Sequence, residues 1–146
     1  MSATTPISNA EYEVMRILWA QGETTSKFAT DVLQDKKQWK TATVKTLLHR
    51  LVEKGYITKT KEKNHYRYQP AITEEEARHE RMADLLHDTC ATKADQVIID
   101  AIESATLDHH MLERIQQALA TKTVSDTVHC QCEPGQCDCH PALDMA

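Results

Sequence analysis

Lys40-Thr41-Ala42-Thr43-Val44-Lys45-Thr46-Leu47-Leu48-His49-Arg50-Leu51-Val52-Glu53-Lys54-Gly55 decides how the first half of the chain folds. Val44, Leu47, Leu48, Leu51 and Val52 recur at three- and four-residue spacing, the single apolar stripe of an amphipathic helix. Gly55 then offers the residue that most readily takes a left-handed cap. A helical wheel leaves Ala42, Thr46, His49, Arg50 and Glu53 on the opposite face, with Thr43 and Lys45 flanking it. Small, hydroxyl and basic groups facing outward can enter a major groove, where Arg reads guanine and Thr bonds a base edge or touches a thymine methyl. An ordinary amphipathic surface helix is the competing reading, and Glu53 is consistent with it.

The flanks decide between the two. Downstream, Tyr56-Ile57-Thr58-Lys59-Thr60-Lys61 is a strand signal, Glu62-Lys63-Asn64 a polar turn, and His65-Tyr66-Arg67-Tyr68-Gln69 a second alternating strand. Upstream, Ser8-Asn9-Ala10-Glu11 is a capping box. It opens a helix that runs through Trp19 to Gly22, with Val14, Met15, Leu18 and Trp19 inward. Thr24-Thr25-Ser26 offers a fresh N-cap for a second helix whose inner face is Phe28, Ala29, Val32 and Leu33, before the polar break Lys36-Lys37-Gln38. Three helices followed by a basic hairpin is the order of a winged helix-turn-helix, in which the third helix reads the groove and the wing meets flanking phosphates. Charge agrees. Residues 1–70 hold 12 Lys/Arg against 7 Asp/Glu, and residues 36–67 hold ten against only Glu53 and Glu62. A basic segment so short of acids points to a polyanion.

The second half is acidic, with 5 Lys/Arg against 15 Asp/Glu. Pro70 ends the wing, and Thr73-Glu74-Glu75-Glu76 is a second capping box for a helix running toward Cys90. Ala94, Val97, Ile98, Ala101, Ile102 and Ala105 form the next apolar ladder. Asp108 caps a last helix with Met111, Leu112, Ile115, Ala118 and Leu119 inward. Three short helices with one stripe each bury too little surface for a core of their own. Pairing with the same helices of a second chain resolves this, and the resulting twofold axis matches two wings to two half-sites. The expected fold is therefore mainly α with a small β-hairpin: a winged-helix domain over 1–70, a helical dimerisation region over 71–122 and a tail over 123–146.

That tail carries His129-Cys130-Gln131-Cys132-Glu133-Pro134-Gly135-Gln136-Cys137-Asp138-Cys139-His140. Pro-Gly between two Cys-x-Cys pairs predicts a turn that folds the pairs together. Four converging thiolates suit zinc as a closed tetrahedral site, and thiolate is also the ligand type that selects copper(I). Five cysteines fit a disulfide framework poorly, and clustered cysteines in a reducing cytoplasm are better read as ligands. The expected ligands are Cys130, Cys132, Cys137 and Cys139. Cys90, far away in sequence, reads as a small buried hydrophobe; His129 and His140 are second-choice ligands, and His109-His110 has the wrong spacing for a ligand pair. Without metal the tail has too little apolar content to fold.

Thr41 to Ile57 resembles the recognition-helix signature of the MecI/BlaI/CopY repressors. Glu11–Trp19 is similar to their first helix and Tyr66-Arg67-Tyr68 to their wing, so the resemblance covers residues 8–122. It implies a homodimeric repressor on an interrupted palindrome of double-stranded DNA. The cysteine pattern is similar to that of the copper-responsive branch, which implies Zn(II) in the DNA-binding form, Cu(I) as the inducer that displaces it, copper export genes as targets, and a copper chaperone as a candidate donor. On this reading Thr43, Thr46, His49 and Arg50 meet base edges, and Lys40, Thr41 and Lys45 meet backbone or groove edge. Lys59, Lys61, Lys63 and Arg67 serve phosphates.

Catalysis is not expected, since there is no Gly-rich phosphate loop, no nucleophile with its base, and no open position on a four-sulfur zinc. No stretch approaches ~18 uninterrupted apolar residues, so no membrane span is expected, and the N-terminus lacks a secretory pattern. Two readings stay open beside a copper-responsive repressor: a DNA-binding repressor with a structural zinc tail and another inducer, and a metal-storing protein with incidental DNA binding.

Overall fold

Ser8 and Glu11 cap each other's backbone, Ser8 N–H donating to Glu11 Oε1 at 2.8 Å and Glu11 N–H to Ser8 Oγ at 3.1 Å. Helix α1 (Asn9–Gln21) starts there and ends at Gly22, whose φ of +81° closes the last turn. The computed structural model describes residues 5–139. It continues with β1 (Thr24–Thr25), α2 (Ser26–Lys37), α3 (Thr41–Lys54), β2 (Ile57–Glu62) and β3 (His65–Pro70). Helix α4 (Glu74–His87) follows, then a 3₁₀ turn (Ala91–Lys93), α5 (Ala94–Ser104) and α6 (His109–Ala120). The chain divides into two units, one up to His79 and one from Glu80.

The first unit is a winged helix. Val14, Met15 and Leu18 of α1, Ala29 and Leu33 of α2, and Val44, Leu47, Leu48 and Leu51 of α3 are buried together, with Tyr56 and Ile57 closing the core beneath the wing. Trp19 lies at its edge, its indole N–H donating to Ile72 O at 2.8 Å. The expected hairpin is the larger part of a three-stranded antiparallel sheet in the order β1-β3-β2. Thr24 and Thr25, expected only to cap α2, also pair with Tyr68 and Arg67 of β3. Thr25 serves both ends, its hydroxyl accepting from Phe28 N–H at 3.2 Å. On α2 the inner face is shifted from the expected one: Phe28 and Val32 are 43% and 38% exposed. Thr30 is buried instead, because its hydroxyl donates to Ser26 O and needs no water.

Beyond the wing the helix signals lie where expected. Thr73 Oγ accepts from Glu76 N–H at 3.0 Å to start α4, and Asp108 accepts from Met111 N–H at 2.8 Å to start α6. No residue of α5 or α6 is buried. Ile98, Ile99, Met111, Leu112 and Leu119 are 41–62% exposed. From residue 122 to 139 the chain has neither helix nor strand.

Candidate nucleic-acid interface and thiol cluster

The apolar stripe of α3 is buried, so the wheel's other face is set outward. Lys40, Thr41, Thr43, Lys45, Thr46, His49 and Arg50 are all exposed. Thr46 hydroxyl donates to Ala42 O at 2.9 Å, which leaves its lone pairs outward. His49 Nε2 sits 2.8 Å from Glu53 Oε1, one turn along. The cations of this unit sort into two groups. Lys36 and Lys54 are tied to Glu13 and Glu11 of α1 at 2.9 and 2.6 Å, bracing the helices. Among the described residues, Lys40, Lys45, Arg50, Lys61 and Lys63 have no carboxylate within ion-pair reach.

Arg67 does not join the second group, although the sequence places it with the phosphate-binding residues. Its Nε and Nη2 donate to the two oxygens of Glu62 at 3.0 and 3.1 Å, and its Nη1 donates to Glu23 at 2.9 Å. The two carboxylates hold its pKa above the ordinary arginine value. Paired strand registry explains the difference: Arg67 lies between Thr25 and Thr60, so it faces the loop before β1 as well as the wing. Lys59 stays in the wing with its ammonium 4.6 Å above the Tyr66 ring.

The Pro-Gly turn forms as the sequence requires. Gly135 takes φ +97°, and Gln136 N–H donates to Glu133 O at 3.0 Å. Each Cys-x-Cys pair then repeats one arrangement, with the second residue's N–H donating to the first sulfur: Cys132 to Cys130 Sγ at 3.3 Å, Cys139 to Cys137 Sγ at 3.5 Å. Cys130 and Cys137 sulfurs lie 3.3 Å apart.

The fourth position differs from the expected one. The sulfurs of Cys90, Cys130, Cys132 and Cys137 all lie within 4.8 Å of one another. Cys139 remains at the edge, 3.7 Å from Cys90 Sγ and exposed. Cys90 is buried, as a small apolar residue would be, but it is buried against sulfur, 3.6 Å from Cys130 Sγ. Hydrogen bonds from the Thr92 hydroxyl and backbone N–H pull its thiol down to about 6. Burial pushes the Cys132 thiol up, and the neighbouring sulfurs of Cys90 and Cys137 push it further, against a hydrogen bond with Cys130. Cys90 therefore carries charge more readily than Cys132. A separation of 40 residues hides this convergence from any local pattern. His129 is exposed, with Nε2 3.4 Å from Thr127 Oγ. His140 lies outside the described residues.

Comparison with known proteins places the chain. The penicillinase repressor family matches residues 7–121. The chain belongs to that family. A protein of Latilactobacillus sakei, described as an uncharacterized 16.5 kDa protein in the ptsI 3′ region, is 36% identical over 138 residues, 93% of this chain and 94% of its own length. The methicillin resistance regulatory protein MecI of Staphylococcus aureus (strain N315) is 24% identical over 119 residues, 82% of this chain and 97% of its own. A solved structure described as that of the CopR repressor is 38% identical, covers 47% of this chain and 99% of that chain, and superposes with a TM-score of 0.41.

A penicillinase repressor family chain is a transcriptional regulator. The family match ends at residue 121, before the tail cysteines. The four tail cysteines thus lie beyond the matched segment while Cys90 lies within it, and what the cluster does is a separate question.

Proposed function

We propose that this penicillinase repressor family member is a copper-responsive repressor of copper-homeostasis genes. The observation that carries the reading is the convergence of tail thiolates on a chain whose other unit is a winged helix. As a Zn(II)-loaded homodimer it holds a palindromic double-stranded operator, and its tail thiolates then exchange Zn(II) for Cu(I) and the DNA is released. Cys130, Cys132, Cys137 and Cys139 are the tail thiolates that take part in this exchange, the first three within the mutually close set and Cys139 at its edge. The donor set fits: all-sulfur sites suit zinc at full tetrahedral coordination and copper(I) at lower coordination. Among these thiolates the Cys130 and Cys137 sulfurs lie 3.3 Å apart, within reach of one ion whose ~2.3 Å zinc–sulfur bonds give a tetrahedron edge of roughly 3.8 Å.

Dimerisation is supported by α5 and α6: Ile98, Ile99, Met111, Leu112 and Leu119 stay 41–62% exposed, apolar surface that a second copy would bury. On DNA, Thr43, Thr46, His49 and Arg50 meet base edges, and Lys40, Thr41 and Lys45 meet backbone. Lys59, Lys61 and Lys63 serve phosphates, while Arg67 shapes the wing that presents them. The exposed Cys139 leaves the cluster open to a copper chaperone, which hands over metal by thiolate exchange. Among the described residues no helix is long and apolar enough to cross a membrane, and a thiolate site that must stay reduced supports a cytoplasmic location.

The test is a Cu(I) titration of the zinc-loaded full chain on a DNA fragment it has selected from random sequence, under reducing conditions, with zinc release and DNA binding followed together. Zinc leaving as DNA is released is the expected result. Zinc leaving while DNA stays bound overturns the copper response. Loss of DNA binding on chelation, with no response to Cu(I), marks a structural zinc tail instead.

A further inference from the structure

We infer that Cys90 is a zinc ligand, and that the turn between α4 and α5 forms one wall of the metal site. The inference rests on the metal-responsive reading and adds to it the thiolate that closes the zinc shell. Zinc takes four sulfurs, and five are present. The four that are mutually close are Cys90, Cys130, Cys132 and Cys137, leaving Cys139 as the outer one. A buried hydrophobic cysteine needs only carbon around it. Cys90 instead has Cys130 Sγ, Cys139 Sγ and the Thr92 hydroxyl at 3.6, 3.7 and 3.0 Å.

The tail is also seated on this turn by groups other than sulfur. Gln131, the middle residue of the first Cys-x-Cys pair, accepts from Ala91 N–H at 2.9 Å and donates to Thr89 O at 2.8 Å. Its side-chain amide thus pairs with the turn's backbone as a peptide group would. Asp138, the middle residue of the second pair, sits 3.4 Å from Lys93 Nζ. The residues between the cysteines therefore face the turn that carries Cys90, while the cysteines face one another. A cleft of about 420 Å³ opens beside Cys90, Cys132 and Gln131, giving an incoming ion a way to the buried sulfurs.

This placement changes what the metal holds. With ligands from the tail alone, zinc would order a short loop. With Cys90 included, it closes a long chain segment between residues 90 and 130 onto the turn that joins two helices, so the metal state and the path of α4 into α5 share one free energy. Cys139, left outside the zinc tetrahedron, is the spare thiolate available to copper(I).

The experiment loads the full chain with Co(II), whose visible and sulfur-to-cobalt bands report thiolate count, and measures Zn(II) affinity by chelator competition under reducing conditions. Wild type and Cys139→Ser should give the four-thiolate spectrum. Cys90→Ser should lose it and bind Zn(II) more than ~100-fold more weakly, beyond the usual loss for a supporting residue. Gln131→Ala removes no sulfur and should keep the spectrum while weakening Zn(II) binding roughly 10-fold. A Cys90→Ser chain that retains the four-thiolate spectrum and the affinity overturns the inference, whatever Cys139→Ser does. A wild-type chain that binds no cobalt overturns it together with the metal reading, whereas metal binding without copper-dependent DNA release overturns the copper response alone.

Discussion

Glu11 is 1% exposed and charged, and its partners explain how. Burial pushes its carboxyl up, but the Lys54 ammonium at 2.6 Å and the hydrogen bonds from Ser8 outweigh this and hold it below the ordinary glutamate range. One carboxylate thus caps the start of α1 and anchors the end of α3. Because its folded pKa is depressed, its contribution is present above the ordinary glutamate pKa and is lost as pH falls through the folded value. Urea unfolding should show stability declining on acidification below the ordinary glutamate range, with a shallower decline in Glu11→Gln. Lys54→Met strands the carboxylate in the core and should cost about 3 kcal/mol near neutral pH, the low end for a broken buried pair because Lys54 is itself 20% exposed. Arg67 and Lys63 make a second contrast at this scale. Lys63→Ala should weaken all DNA sequences alike and reduce the salt slope by about one. Arg67→Ala, which frees Glu23 and Glu62, should lower the melting temperature of the wing by amide exchange while changing the salt slope less.

At the scale of elements, α3 and α6 each have a face that the chain itself does not use. Arg50→Ala should relax discrimination at one base pair by ~1–3 kcal/mol, read by competition between operator variants. An equal loss on every sequence would remove α3 from the groove. Leu112→Asp should shift sedimentation from dimer to monomer and leave the unfolding of the winged helix unchanged. The legibility of the chain follows the range of the forces involved. Capping boxes, Gly22, Gly55 and the α3 stripe act over four residues or fewer, and each is readable from its own neighbourhood. Thr24–Thr25 is too short to signal a strand alone and becomes one only because Arg67 and Tyr68 arrive beside it. Phe28 and Val32 sit on the apolar stripe of α2, yet they stay 43% and 38% exposed, so periodicity overstates their burial. Cys90 is the sharpest case: its partners lie 40 or more residues away, and a lone cysteine in a helical region carries no local sign of them.

For the whole molecule, the two units are stabilised by different means. The first has a continuous apolar core through three helices and the wing. The tail over 122–139 has no buried residue and no regular structure; Val124 and Val128 are 85% and 59% exposed. Segments that bury so little cannot offset the entropy of ordering the chain, at ~1–2 kcal/mol per residue. On the metal-responsive reading, what orders the tail is the free energy of thiolate–metal bonds, supplemented by the Gln131 and Asp138 contacts. Metal removal should therefore separate the two units. Chelation of the zinc-loaded chain should make residues 122–139 sensitive to protease within the time that the segment up to His79 stays protected, and readdition of Zn(II) should restore the protection. Were the tail equally resistant with and without metal, its order would have to come from packing, and α5 and α6, which leave their apolar residues exposed, offer none within one chain. The same partition explains how a repressor could answer metal without unfolding: the unit that reads DNA keeps its own core, while the segment that reads metal has no stability of its own to lose.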